Sequence, residues 1–508
     1  MDLSTYISLL LPEWVLLIGG CGVMLAGLWR GGRSAGPAAV GVMLVALLAT
    51  RFSVPVAGHQ PPGLLISPLV HYVRLAGLSV GVLVLLAGLH LPAARERGEF
   101  FAMVLLSTCG LLLTAAANDV VVVFLAIELV SVPTYVLVSL SRRDGRASEA
   151  GVKYFFLGAL AAGLMVYGFS FLYGALGGTT VLTGDASMAA YWKHTSHVNT
   201  YATVGLVLVM AGVFFKIAAV PFHVYAPDVY EGAAAPVTGL LGFLPKFAGF
   251  VAAIKILGVF DWQLSHSVFW MIWIVAGLTM TAGNTMALLQ SNVKRVLAYS
   301  SIAHSGYMLI GLLVGPVAGE GPLRDGVAAL LFYMVIYGVM NLGAFAVLAA
   351  LENESQPAET FKDIEGLGRR HAGLALGLAV CCFSLMGFPP TAGMLGKVYL
   401  FSSAFSLDSM NPHHHAMIVL AVIGVLNSAV GAVYYLRIVS SCWVKPRRRE
   451  WPVVGGGALG AAVALCALAM IVCFIQPRGL TERAKLASPL IARSTADTTG
   501  DVVAAIAR

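Results

Sequence analysis

Five charged side chains stand inside stretches that are otherwise apolar enough to lie in a lipid bilayer. Glu128 occurs in VVVFLAIELVSVPTYVL, Lys153 in GVKYFFLGALAAGLMVYG, Lys216 in VMAGVFFKIAAVPF, Lys246 in GLLGFLPKFAGFVAA and Lys397 in TAGMLGKVYLFSSAF. A charge in hydrocarbon costs about 3 kcal/mol on insertion scales, so such residues mark a polar path lined by protein. One acid and several amines at that depth form a set of protonatable sites. A buried lysine falls several units below its unperturbed value of about 10.4, and a neighbouring carboxylate pushes it back up. Making or breaking an ion pair therefore changes how tightly such a lysine holds its proton. The chemistry these residues offer is ion movement, with protons as the natural cargo.

Composition sets the frame that must position them. Of 508 residues, 59% are hydrophobic and 11% charged, against about 25% charged in soluble domains. The chain is an integral membrane protein. Its 56 glycines suit helices that pack backbone to backbone in lipid. The net charge of +7 is modest and clustered in loops, a poor basis for nucleic-acid binding. Seven cysteines, Cys21, Cys109, Cys381, Cys382, Cys442, Cys466 and Cys473, lie in or beside apolar segments and form no CxxC pair. They read as small buried residues rather than a disulfide framework or an iron–sulfur site.

Stretches of about 20 apolar residues predict about fourteen spans, centred near residues 20, 44, 80, 107, 128, 163, 211, 246, 277, 305, 337, 387, 429 and 464. The first lacks a basic flank and a small-residue cleavage site, and reads as a span rather than a removed leader. The longest polar connections, about 177–200 and 352–371, are too short to hold a core of their own. Basic residues collect after the odd-numbered spans: Arg30 and Arg33, Arg95 and Arg97, Arg142, Arg143 and Arg146, Lys294 and Arg295, Lys362, Arg369 and Arg370, then Lys445, Arg447, Arg448 and Arg449. The other side offers Arg51, Lys193 and Arg324. That asymmetry places the basic loops in the cytoplasm and both termini outside. The tail, with Arg478, Arg483, Lys485 and Arg493, runs mildly against it.

Two spans read as broken helices. The seventh, FKIAAVPFHVYAPDVYEGAAAPV, carries Pro221, Pro227 and Pro236, and the twelfth, SLMGFPPTAGMLGKVYL, carries Gly387, Pro389, Pro390 and Gly393. Proline removes a backbone donor and clashes with the preceding turn. Irregular backbone at membrane depth survives only under a cover of protein or water, and matching interruptions in two halves point to transport along an internal repeat. The predicted fold is all-α and polytopic, with two inverted five-helix repeats, spans four to eight and nine to thirteen. The expected divisions are 1–97, 98–260, 261–449 and 450–508.

The run FKIAAVPFHVYAPDVYEGAAAPVTGLLGFLPKFAGF resembles the core motif of the antiporter-like membrane subunits of respiratory complex I. NVKRVLAYSSIAHSGYMLIG resembles that family's second motif and GFPPTAGMLGKVYLF its third, in the same order along the chain. With Glu128 and Pro133 the likeness extends over spans four to thirteen. Three features favour the N-type branch: Lys397 where M-type chains carry glutamate, the early end after the last span without a long lateral helix, and the opening LPEWVLLIGGCGVML.

The resemblance implies a proton-translocating subunit of NADH–quinone oxidoreductase. In it Glu128 pairs with Lys216, Lys246 is the central lysine, and Lys397 is the terminal one. Lys153 tunes or feeds the Glu128 end. His304, in the tenth span, is either a relay between Lys246 and Lys397 or a hydrogen-bonded structural histidine, and His223 is equally ambiguous. Lysines near helix ends snorkel, which is the rival reading for Lys153 and Lys255. Lys294 and Arg295 read as topology anchors, Asp228 and Glu231 as acceptors supporting the break, and His413, His414 and His415 as a solvated outer loop rather than a metal site.

No glycine-rich dinucleotide fingerprint, haem motif or cysteine cluster is present in the sequence. The resemblance therefore assigns NADH, FMN, iron–sulfur clusters and quinone to partner subunits, with no cofactor or metal in this chain. It implies other membrane-arm subunits as partners, especially neighbouring antiporter-like and small ones, in a bacterial inner membrane. The alternatives are a subunit of a multisubunit cation/proton antiporter or membrane-bound hydrogenase, and a non-transporting scaffold.

Overall fold

Long apolar runs close their backbone hydrogen bonds within themselves, because lipid supplies no partner. A computed structural model describes residues 3–28, 32, 34–53, 63–91, 96–182, 187–195, 200–317, 323–352, 359–408, 410–446 and 453–488, and among these no strand occurs beyond isolated bridges. The basic residues Arg30, Arg33, Arg95, Arg447, Arg448, Arg449 and Arg493, and the Lys193 side chain, lie outside the described set.

The chain opens with α1 (Leu3–Leu9), α2 (Leu11–Gly27), α3 (Ala35–Ala49) and α4 (Pro68–Gly88). A first group follows: α5 (Arg97–Ala116), α6 (Val120–Leu140), α7 (Gly145–Leu176), α8 (Met188–Thr195), α9 (Thr200–Lys216), α10 (Ala226–Gly232), α11 (Ala235–Leu241) and α12 (Leu244–Val259). The second comprises α13 (His266–Leu288), α14 (Val293–Val314), α15 (Gly326–Leu351), α16 (Phe361–Ile364), α17 (Leu367–Arg370), α18 (Ala372–Met386), α19 (Ala392–Ser403) and α20 (His414–Trp443). The chain closes with α21 (Gly456–Ile475) and α22 (Arg478–Ala487).

Ten helical segments among the described residues are long and apolar enough to cross a membrane, α11 and α12 counting as one. Four shorter apolar helices, α2, α3, α9 and α18, accompany them. A count of fourteen crossings takes these four as spans beside the ten.

Pairings in the first group recur in the second. Helix α5 packs on α6, α6 on α7, α7 on α9, and α12 on both α5 and α9. Likewise α13 packs on α14, α14 on α15, α15 on α18 and α19, and α20 on both α13 and α18. Capping recurs too. Asp119 accepts from the Val121 and Val122 amides to start α6, and Asn292 accepts from those of Lys294 and Arg295 to start α14. Each of these caps forms an isolated bridge to the connection after the next long helix, Asp119 to Thr180 and Asn292 to Thr360.

Burial sorts the helices into interior and rim. The apolar core of α14 and of Ala235–Val259 is wholly buried, whereas that of α21 is 28% buried and that of α20 33%. The interior helices are the ones that carry Lys246 and His304. Lys246 and His304 are thus screened from the outer surface by the rim helices.

Candidate functional site

Three interruptions create the site. Helix α9 stops at Lys216 because Ala218 takes a left-handed conformation (φ 55°) and Pro221 follows; such a conformation costs a non-glycine residue about 1 kcal/mol or more and is held only by its surroundings. Those surroundings are visible. The Tyr225 hydroxyl donates to the Phe215 carbonyl at 2.9 Å, and the Val220 amide donates to Thr279 Oγ1 at 2.9 Å. Helix α18 stops at Gly387, again left-handed (φ 85°), where a Cβ would lie 2.9 Å from Lys397 Cδ. The third interruption, at Gly242 and Phe243, separates α11 from α12 and places Lys246 in the first turn of α12. The first two are the interruptions the proline patterning predicts; the third lies in the eighth span, where Pro245 falls in the first turn of α12.

Lys216, 3% exposed, donates to Glu128 Oε1 at 2.9 Å and to Ser131 Oγ at 2.7 Å. Its acid and hydroxyl partners lie on one face of α6, three residues apart. Gly249 of α12 admits this lysine, since a Cβ there would stand 3.2 Å from Lys216 Cβ. Lys246 donates to the Ser301 carbonyl at 2.5 Å and to Ser305 Oγ at 2.9 Å, both on α14. Ser305 Oγ in turn donates to the Ile217 carbonyl at 2.6 Å, so one hydroxyl links Lys246 to the residue after Lys216. Lys397 donates to Ser428 Oγ at 2.7 Å and reaches back to the Met386 carbonyl at 2.9 Å. That carbonyl is one of those left without an intrahelical partner at the end of α18, where a cation is favoured.

His304 stands between the last two lysines on α14. Its Nδ1 meets the Tyr333 hydroxyl at 2.6 Å and its Nε2 the Tyr435 hydroxyl at 2.9 Å. Tyr307, one turn on, lies under Lys397, with the amine 5.1 Å from the ring centroid, and its ring packs edge-on to His304. Tyr337 donates to Ser301 Oγ at 2.7 Å. Glu128, Lys216, Lys246, His304 and Lys397 thus follow one another through the interior: Ser305 joins Lys246 to the Ile217 carbonyl, and His304 meets the two flanking lysine sites by ring packing on Tyr337 and Tyr307. Among the described residues, Lys216 alone of the three lysines donates to a carboxylate; Lys246 and Lys397 donate to carbonyl and hydroxyl oxygens.

The remaining sequence candidates take other places. Lys153 is 44% exposed at its side chain and pairs with Glu149 at 2.7 Å and Asp228 at 3.1 Å. It does not touch Glu128; it borders a polar cavity of about 200 Å³ with Arg146, Glu149, Asp228 and Glu231. Asp228 and Glu231 do not support the break by accepting backbone hydrogen bonds; they accept from Arg295 at 2.9 and 2.8 Å. Lys294, read as an anchor, is fully buried and pairs with Glu352 at 3.0 Å. Lys255 does not snorkel: it is 2% exposed and donates to the Ala115 and Ala117 carbonyls at the end of α5. His223 lies in the connection after α9, and no described group partners its Nδ1. His413 stacks on Phe269 at 3.7 Å, while His414 and His415 begin α20.

Among the described residues, six buried charges escaped the sequence reading: Glu13, Arg74, Asp325, Glu352, Glu359 and Glu365. Arg74, 0% exposed, makes a two-point pair with Glu13 at 2.8 and 2.9 Å and also donates to Ser53 Oγ and the Leu9 carbonyl. The signal was present, since Arg74 lies in the apolar run LVHYVRLAGLSVG. Asp325 caps α15 and receives Lys485 at 2.7 Å, so one tail cation that opposed the charge asymmetry has a buried partner.

Residues 117–427 match the family described as NADH:quinone oxidoreductase/Mrp antiporter, TM. A relative from Trichlorobacter lovleyi called NADH-quinone oxidoreductase subunit N is 38% identical over 457 residues, covering 88% of this chain and 89% of its own length. One of the same name from Methylobacterium nodulans is 36% identical over 498 residues, 94% of this chain and 96% of its own. Among solved structures, a chain of respiratory complex I from Thermus thermophilus is 27% identical with a TM-score of 0.76, covering 93% of this chain and 98% of that one. A chain of the Mrp complex from Dietzia sp. shares the fold alone, at 19% identity, a TM-score of 0.80 and complete coverage of both chains. The chain belongs to the NADH:quinone oxidoreductase/Mrp antiporter transmembrane family and, within it, to the subunit N proteins of NADH-quinone oxidoreductase.

Proposed function

We propose that this chain is a proton-translocating membrane-arm subunit of an NADH-quinone oxidoreductase, driven by quinone reduction on partner subunits and carrying no redox centre itself. The observation that carries this reading is the series Glu128, Lys216, Lys246, His304 and Lys397, brought close in the interior by hydroxyl, carbonyl and ring contacts behind the rim helices. Loss of the Glu128 contact removes the counter-charge from Lys216 and shifts its hold on the proton. That change is felt close to Lys246, because Ser305 ties Lys246 to the carbonyl of Ile217, the residue after Lys216. Lys397 is the outward station. Lys153 lies at the cytoplasmic mouth, where its pairing with Asp228 sets the charge of the intake cavity.

In this reading α5 to α12 and α13 to α20 are two inverted repeats, supported by their recurrent pairings and matching N-cap bridges. The divisions 1–97, 98–260, 261–449 and 450–508 follow. NADH, FMN, iron–sulfur clusters and quinone then sit on partner subunits, with antiporter-like and small membrane subunits as the immediate neighbours. The membrane is a bacterial inner membrane, with both termini outside.

The test is reconstitution of the purified complex containing this chain into proteoliposomes. NADH-driven proton uptake should depend on Lys216 and Lys246 while the complex keeps its subunit composition. If this chain instead co-purifies with cation/proton antiporter chains, and without quinone-reducing activity, the antiporter alternative replaces this reading.

A further inference from the structure

Asn284 lies on α13, is fully buried, and bonds none of Lys246, His304 and Lys397. Its amide nitrogen donates to the Met280 carbonyl at 2.8 Å and to the Tyr307 hydroxyl at 2.9 Å. A longer contact runs to Asn427 Oδ1 at 3.4 Å. Its oxygen accepts from the Tyr434 hydroxyl at 2.9 Å. A backbone carbonyl only accepts, so Met280 settles which end of the amide faces which tyrosine. Tyr307 is therefore held as an acceptor and Tyr434 as a donor. Gly431 on α20 admits the amide, since a Cβ there would stand 3.1 Å from Asn284 Oδ1.

Those partners surround Lys397. Tyr307, on α14, presents its ring to the lysine amine, 5.1 Å from the centroid, and packs edge-on to His304. Asn427, on α20, is followed by Ser428, which accepts from Lys397 at 2.7 Å. Tyr434, further along α20, packs on Tyr435, whose hydroxyl meets His304 Nε2 at 2.9 Å. One amide thus ties α14 to α20 where both helices touch Lys397. The other neighbours of the lysine are the Met386 carbonyl at the end of α18 and Tyr333 of α15, which packs on Gly396. Among the described residues no carboxylate accepts from it.

We propose that Asn284 is a positioning residue for proton transfer at Lys397, holding the Tyr307 ring beneath the amine and the Asn427–Ser428 turn beside it. With its hydroxyl engaged by Asn284, Tyr307 offers the lysine its ring rather than its oxygen. A ring face attracts an ammonium and does little for a neutral amine, so its placement sets how firmly Lys397 keeps a proton. This inference rests on Lys397 being a proton carrier and adds the residue that fixes its surroundings.

The experiment uses the complete complex in proteoliposomes. Asn284→Leu should lower NADH-driven pumping about fivefold, the scale of one lost hydrogen bond. It should also move the alkaline limb of the pumping profile to lower pH, because the ammonium loses a steady ring face. Tyr307→Phe keeps the ring and its packing but removes the hydroxyl that Asn284 holds. It should displace the limb in the same direction, and the double variant should pump no worse than Asn284→Leu alone. A merely structural role would lower the yield of assembled complex and leave the pH profile in place. An unmoved profile in Asn284→Leu, wild-type pumping by that variant, or multiplicative loss in the double variant overturns the proposal. Should Asn284→Leu not assemble, Tyr307→Phe decides, and a wild-type profile there overturns it equally. Lys397→Ala separates the two readings. Normal pumping by Lys397→Ala ends the carrier role itself, whereas a silent Asn284→Leu beside an impaired Lys397→Ala removes the positioning role alone.

Discussion

At the scale of single residues, the decisive contact is the one between Lys216 and Glu128. Its geometry, 2.9 Å with Ser131 as a second acceptor, makes Lys216 the lysine whose charge is most directly controlled by an acid. Lys216→Ala should leave the complex assembled and lower quinone-coupled pumping by about tenfold or more, the scale of losing one proton-transfer group. Proteoliposome uptake assays read this, and wild-type pumping in an assembled variant would take Lys216 off the path. Arg74 tests a different role. Replacing it by leucine strands the buried Glu13 carboxylate, a loss of about 3–5 kcal/mol for a broken buried pair. The double change Glu13→Leu with Arg74→Leu should recover much of that, as seen in the yield of thermally stable complex. Equal loss from single and double variants would mean that the pair does not act as a unit. These residues also show what a sequence discloses. Lys216, Lys246 and Lys397 were visible because an amine inside an apolar run has no ordinary reason to be there. Arg74 met the same test. Its partner Glu13, in contrast, sits 61 positions away near the start of α2, and no local pattern joins the two. Lys255 was misjudged because its partners are carbonyls at the end of α5, 138 and 140 positions away.

At the scale of elements, the path depends on where helices stop. Pro221 and the Gly387-to-Pro390 stretch marked two interruptions in the sequence, because proline and left-handed glycine act locally on the backbone. The interruption at Gly242 and Phe243 carries a proline too, Pro245 in the first turn of α12, but a proline there also starts an ordinary helix, so the break shows only in the packing of α11 on α15 and α12 on α14. Lys397 shows what an interruption offers: its amine bonds the Met386 carbonyl freed at the end of α18. A glutamate there would keep a protonatable group but lose the donor to that carbonyl. Lys397→Glu should therefore retain more pumping than Lys397→Ala, with both falling below the wild type. Equal pumping by the two variants, at equal assembly, would show that protonation at this position is not required.

At the scale of the whole molecule, the arrangement is a series, and series behaviour is measurable. Lys246 and Lys397 occupy different helices, α12 and α19, yet both border the His304 cluster on α14 and α15. If a proton passes from one to the other, removing either lysine breaks the same route. Lys246→Ala combined with Lys397→Ala should then pump little worse than the more severe single variant, because residues that act as one unit are strongly non-additive. Two independent channels would lose activity multiplicatively instead. The sidedness of the route follows from the same architecture. The Arg142-to-Arg146 loop and the Lys294–Glu352 cluster gather at one end of the bundle, joined through Glu359 and Glu352, and the Asp325–Lys485 contact ties the tail to the start of α15, the other end of that helix. Reporter fusions should accordingly place the Arg142-to-Arg146 and Lys445-to-Arg449 loops in the cytoplasm and both termini outside. A cytoplasmic carboxyl terminus, with those two loops still inside, would mean an odd number of crossings. Lys397 lies before the Lys445-to-Arg449 loop, so such a result would revise only the crossing by α21, whereas an outside location of that loop would reverse the side Lys397 faces and end its role as the outward station.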